Sequence, residues 1–141
     1  MKMGGERPVV RFYEGREAVF SLFDDVARVA PKVACEVANY EDVAAHLDVQ
    51  MLEDARKGFD PSRIDFRMLH RGKHPGKPHA NIQYCQLLPE LGEFHGDIWI
   101  YADRVVFVTF IGKIIAVRIE HQAFADTARV LFEAAWRICR K

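Results

Sequence analysis

The string Phe94-His95-Gly96-Asp97-Ile98-Trp99-Ile100-Tyr101-Ala102-Asp103-Arg104 sets one isolated histidine before an apolar run, and a second apolar run, Val105 to Phe110, follows an acidic turn. An imidazole in that position can act as nucleophile, acid or base, or can be a hydrogen-bonded structural residue, and the residue types alone leave both roles for His95 open. A second group is the basic segment His70-Arg71-Gly72-Lys73-His74-Pro75-Gly76-Lys77-Pro78-His79. Its glycines and prolines make it a solvated loop. Anion contact suits it better than metal binding, because metal sites favour histidine pairs at fixed spacing with an ordered surround.

The elements that must position these groups follow from hydrophobic periodicity. Val9 to Tyr13 reads as a strand after a flexible lead-in, residues 1–8. Val19, Leu22, Phe23, Val26 and Ala30 recur at helical steps until Pro31 stops them. Asp24, Asp25, Glu17 and Arg28 read as that helix's solvated face. Lys32 to Ala38 is strand-like. Asn39 caps a second helix with Asp42 three residues on, the stripe Val43, Leu47, Met51, Ala55, and Gly58 at its close. Ile64, Phe66 and Met68 alternate as a strand, and four further strands lead to a last helix from about His121 with Phe124, Ala128, Leu131, Ala135 and Ile138 as its stripe. Trp136 lies beside that stripe and is expected on the sheet.

The predicted order is β-α-β-α-β-β-β-β-β-α, an α/β fold with a mixed sheet and helices on its faces, in one domain over residues 9–141. With the first three strands parallel and adjacent, their carboxyl ends form one crevice lined by Glu14, Gly15, Asn39, Tyr40, His70 and Arg71. That mixture of donors and acceptors suits a small hydroxylated or anionic ligand.

Half of the 141 residues are hydrophobic, enough for a core without disulfide staples, and 20 basic residues balance 20 acidic ones, which removes the global signal of a nucleic-acid binder. Cys35, Cys85 and Cys139 are far apart and form no CxxC pair, so they read as three small core residues of a protein from a reducing compartment. No apolar run is long enough to cross a bilayer. A cytoplasmic protein without membrane contact is expected, with no cofactor and no metal.

Phe94 to Thr109 resembles the phosphodiester-cleaving motif of the phospholipase D superfamily, where a histidine nucleophile is followed by lysine at the second position and aspartate at the seventh. His95 matches the nucleophile, while Asp97 and Ala102 stand at the other two positions, with Asp103 one residue late. Because a carboxylate at the lysine position would repel phosphate, the resemblance implies the fold and argues against activity: the chain is expected not to be an enzyme. Val10-Arg-Phe-Tyr-Glu-Gly-Arg-Glu17, Asp97 to Phe107 and Leu131-Phe-Glu-Ala-Ala-Trp-Arg137 resemble the effector domain of TrmB-like transcriptional regulators, which is itself similar to the phospholipase D fold. That resemblance implies a ligand-sensing effector domain in transcription regulation, without a winged helix and without direct DNA binding by this chain. It brings His95 to the crevice and makes the ligand small, polar and sugar-like. A homodimer is allowed. A divergent phosphodiesterase using His95, or a pure protein-interaction module, are the alternatives.

Overall fold

The computed structural model describes residues 7–74 and 78–141. Residues 1–6 of the expected lead-in, and Pro75, Gly76 and Lys77 of the basic loop, lie outside the described residues. The elements are β1 (Val9–Glu14), α1 (Arg16–Val29), β2 (Val33–Asn39), α2 (Tyr40–His46), α3 (Val49–Ala55), β3 (Asp65–Arg71), β4 (Ile82–Gln86), β5 (Gly96–Tyr101), β6 (Arg104–Thr109), β7 (Ile115–Glu120) and α4 (Gln122–Cys139). This is the expected order, with the second helix in two pieces. The break has a local cause: Leu47 is extended, and the Asp48 carboxylate accepts from the Gln50 N–H at 3.0 Å, capping a new helix.

The seven strands form one mixed sheet in the order β1-β7-β6-β5-β2-β3-β4. β2, β3 and β4 are parallel neighbours; every other pair is antiparallel. Four antiparallel steps separate β1 from β2, so β1, β2 and β3 do point the same way. They are not adjacent. β1 hydrogen-bonds β7 at the opposite edge, about 19 Å from β2 at roughly 4.8 Å per strand spacing. The crevice expected from three neighbouring strands is therefore divided between the two sides of the sheet.

Helices α1, α2 and α3 pack on one face, where Leu22, Phe23, Val26, Phe66, Trp99 and Val106 are buried. Val19, Leu22, Phe23 and Val26 of the expected α1 stripe are buried, but Ala30 is the exposed left-handed cap that ends the helix, and Asp25 is buried instead. Its carboxylate accepts from the Tyr101 hydroxyl at 2.6 Å and from Arg104 Nε at 2.9 Å, with Arg118 nearby, so it belongs to an ionic network and not to a solvated face.

Helix α4 covers the other face with Phe132 and Trp136, which pack on Cys35, Leu69 and Ile100. Trp136 lies on the sheet as expected. The expected stripe is displaced around the helix: Ala125, Phe132 and Trp136 are buried, whereas Phe124, Leu131 and Ile138 are exposed. Both sets have helical spacing, and the one carrying two large aromatic rings removes more apolar area from water. A disulfide joins Cys85 on β4 to Cys139 at the end of α4. Only Cys35 matches the reading of a free buried thiol, so that reading no longer supports a reducing compartment. Among the described residues no helix is long and apolar enough to cross a membrane.

Candidate functional site

The carboxyl end of β2 turns directly into α2, and one residue holds the junction. Asn39 is buried; its Oδ1 accepts from the N–H groups of Glu41 and Asp42 at 3.0 and 3.2 Å, and its Nδ2 donates to the Phe94 carbonyl at 2.7 Å. Its own N–H donates to Asp97 Oδ1 at 3.0 Å. Every polar atom of its side chain is thus engaged with protein. Asn39 is a fastener that ties the first turn of α2 to the loop before β5, not a group offered to a ligand.

That fastening brings Asp42 to His95. The imidazole Nδ1 lies 2.9 Å from Asp42 Oδ2, and the Thr109 hydroxyl donates to the His95 carbonyl at 3.1 Å. A carboxylate at Nδ1 fixes the proton there and leaves Nε2 as the free lone pair of the neutral ring. The Asp42 hydrogen bond, with the charges of Asp42 and Glu93, raises the His95 pKa above the usual histidine value. Asp42 is buried, while the His95 side chain is 45% exposed, so the outward nitrogen is accessible.

Glu93 lies in front of this ring. Its carboxylate is 3.7 Å from His95 Nε2 and 3.9 Å from Arg71 Nη2, beyond good hydrogen-bond length in both cases, and its side chain is 72% exposed. Arg71 leaves the end of β3, donates to the Gly92 carbonyl at 3.2 Å and lies 3.5 Å from Glu41. Gly72 allows this approach. Its φ is +79°, and a Cβ there would sit 2.9 Å from Glu41 Cγ.

Of the residues expected at the site, Asn39, Arg71 and His95 meet here. Tyr40 and His70 turn to the helix side of the sheet, where their rings meet tilted, with centroids 4.9 Å apart. His70 is buried, its Nδ1 bonds the Gly72 carbonyl at 2.7 Å, and burial lowers its pKa. His74 packs on Tyr40 and Tyr84, and His79 is exposed. Glu14 and Gly15 are at the far edge, where Glu14 pairs with Lys113 and the Gly15 N–H donates to the Ile114 carbonyl. Among the described residues, no three metal-ligating side chains converge. Asp42 and Glu93 were missed. Asp42 carried a signal, its place three residues after a cap, but that position explains itself as helix-capping chemistry. Glu93 lies in a loop without periodicity.

Asp97 is buried and bonded to backbone, so its carboxyl is not exposed at the surface beside His95. It is 4% exposed, it accepts from the Asn39 N–H, and burial pushes its pKa up to about 7, with the Asp42 charge adding to the shift and the Asn39 bond opposing it.

No protein-family model and no curated protein sequence matches the chain. Several solved structures share its fold. NucT from Helicobacter pylori superposes with a TM-score of 0.61 at 12% identity, covering 94% of this chain and 98% of that one. Nuc from Salmonella typhimurium, a phospholipase D family member, gives 0.53 at 14% identity over 93% and 95%. TrmBL2, an archaeal chromatin protein, gives 0.53 at 12% identity; 96% of this chain is covered but only 54% of that one. The expectation that the chain is not an enzyme is overturned. The finding that overturns it is the architecture, which matches a phospholipase D family member along nearly its whole length. What these likenesses establish is the fold: a mixed seven-stranded α/β sheet of phospholipase D-like type.

Proposed function

We propose that the chain is a divergent phosphodiester hydrolase in which His95 is the nucleophile and Arg71 holds the anionic oxygens. The observation that carries this reading is the position of Glu93. A loosely held, exposed carboxylate lies between the imidazole and the guanidinium, where a substrate's phosphoryl group would lie once Glu93 swings out. Arginine suits the task given to lysine in the phospholipase D motif, because its planar fork matches phosphate oxygens. Neutral His95, with its Nδ1–H held by Asp42, attacks phosphorus through Nε2. The bond from phosphorus to the leaving oxygen breaks, giving a phosphohistidine. The leaving oxygen takes the bonding pair and a proton from solvent; water then attacks phosphorus and gives up a proton to solvent, the P–N pair returns to Nε2, and the neutral ring is restored. The test is hydrolysis of bis(4-nitrophenyl) phosphate by the purified chain. Turnover above background that falls at least a hundredfold in His95→Ala supports the reading; turnover unchanged in that variant refutes it.

The likeness to TrmBL2 favours a second reading, a ligand-responsive regulatory domain whose Arg71, Glu93 and His95 take a small sugar-like molecule. The acidic rim of Glu41, Asp42 and Glu93 suits hydroxyl donors. A sugar that raises the melting temperature of the wild type but not of His95→Ala, without diester turnover, would favour it.

A further inference from the structure

A cavity of about 400 Å³ lies on the helix side of the sheet, apart from His95, between β2, β3, β5 and the helices α1 and α3. Its walls are largely apolar and aromatic, and Arg56, His74 and His79 line it too. Phe23, Phe59 and Phe66 surround Trp99, with ring centroids 5.5, 6.2 and 5.2 Å from it. Two carboxyls open into this space. Glu36 is 7% exposed and Asp97 is 4% exposed, and both line the cavity. They share one face, since Glu36 pairs with Trp99 across β2 and β5, and Asp97 precedes Trp99 by two residues.

These carboxyls are poorly provided for. Trp99 is the cross-strand partner of Glu36, and the Asn39 N–H donates to Asp97. An ionised carboxylate can accept about four hydrogen bonds. Among the described residues neither forms an ion pair, although Arg56 is near enough to Glu36 to be felt electrostatically. Arg56 is exposed and lies over the Phe23 ring at 5.5 Å, so it counters at most one of the two charges from the rim. Burial and the neighbouring Asp97 charge push the Glu36 pKa well up, as expected for a carboxyl without a matched cation.

A hydrocarbon occupant would leave both carboxyls unmatched, and an anionic one would be repelled. A cation supplies what is lacking: charge for the acids, and attraction to the π-faces of the surrounding rings. We propose that this cavity binds an organic monocation, an ammonium group placed between Glu36 and Asp97 with its aromatic or alkyl body against Phe23, Phe59, Phe66 and Trp99. This site is separate from the His95 site and stands whether or not that site hydrolyses diesters.

The experiment is calorimetry of the whole chain with three probes of one shape: 2-phenylethylamine, 2-phenylethanol and phenylacetate. The amine should bind at least tenfold more tightly than the alcohol, phenylacetate should not bind, and the amine should change Trp99 fluorescence in a Trp136→Phe background. Glu36→Gln should bring the amine down to the alcohol's affinity. Should Glu36→Gln fail to fold, by circular dichroism, Asp97→Asn is read in the same way. Absence of amine binding, an alcohol or phenylacetate that binds as tightly, or a preference for the amine that survives the substitution overturns the proposal.

Discussion

His95 and Asp42 form a fixed pair, and the consequence is a defined pH dependence. A nucleophilic imidazole must be neutral, and Asp42 holds its pKa above the ordinary 6.5. The acid limb of diester hydrolysis should therefore lie above pH 6.5 and move down in Asp42→Asn, as a pH–rate profile of both proteins will reveal. Asp97 gives a second prediction. Its pKa is about 7 in the folded chain against an ordinary 3.8, so the native state binds this proton more tightly than the unfolded chain does. Its contribution to stability is complete below pH 3.8 and is lost as pH rises toward about 7. Denaturant melts between pH 4 and 8 should show a decline over that interval, and Asp97→Asn should flatten it. At this scale the sequence made His95 and Arg71 legible because each residue type announces its chemistry. It did not reveal that Asn39 has no free atom, since a cap and a ligand-binding amide look alike until their partners are known.

At the scale of elements, strand alternation and the turn at Ala102-Asp103 were readable in place, and β5 and β6 flank that turn as the pattern requires. Helix faces were less so. The long α2 stripe concealed the break that Asp48 caps, and α4 carries apolar residues at two sets of helical positions. The structure chooses the set with Phe132 and Trp136, where Arg67 also lies over Trp136 at 5.4 Å and pairs with Glu133 at 2.8 Å. Trp136→Ala should cost about 3–5 kcal/mol. Leu131→Ala, at a side chain 68% exposed, should fall within about 0.5 kcal/mol of wild type. Equilibrium denaturation of the two variants distinguishes this packing from the one the spacing alone suggests, which predicts a large loss for Leu131.

For the whole molecule, strand order decides what can meet. Nothing in the residues of β1 says that it pairs with β7, because Val10 and Phe12 would suit either edge of the sheet; the pattern therefore points Glu14 and Gly15 to a crevice they do not reach. The pairing of Cys85 with Cys139 is hidden for the same reason. The two are 54 residues apart, and only the course of α4 over the sheet brings them together. Cys85→Ser should lower stability by about 2–4 kcal/mol, and a reductant should produce the same loss in the wild type but none in the variant.

The central claim is that His95 and Arg71 grip one anionic group whose place Glu93 now fills. Steady-state hydrolysis of bis(4-nitrophenyl) phosphate by Glu93→Gln and Arg71→Ala tests it most directly. The account predicts that Glu93→Gln lowers KM several-fold with kcat nearly unchanged, and that Arg71→Ala raises KM at least tenfold. A wild type without turnover, or variants whose KM values both equal that of the wild type, would contradict it.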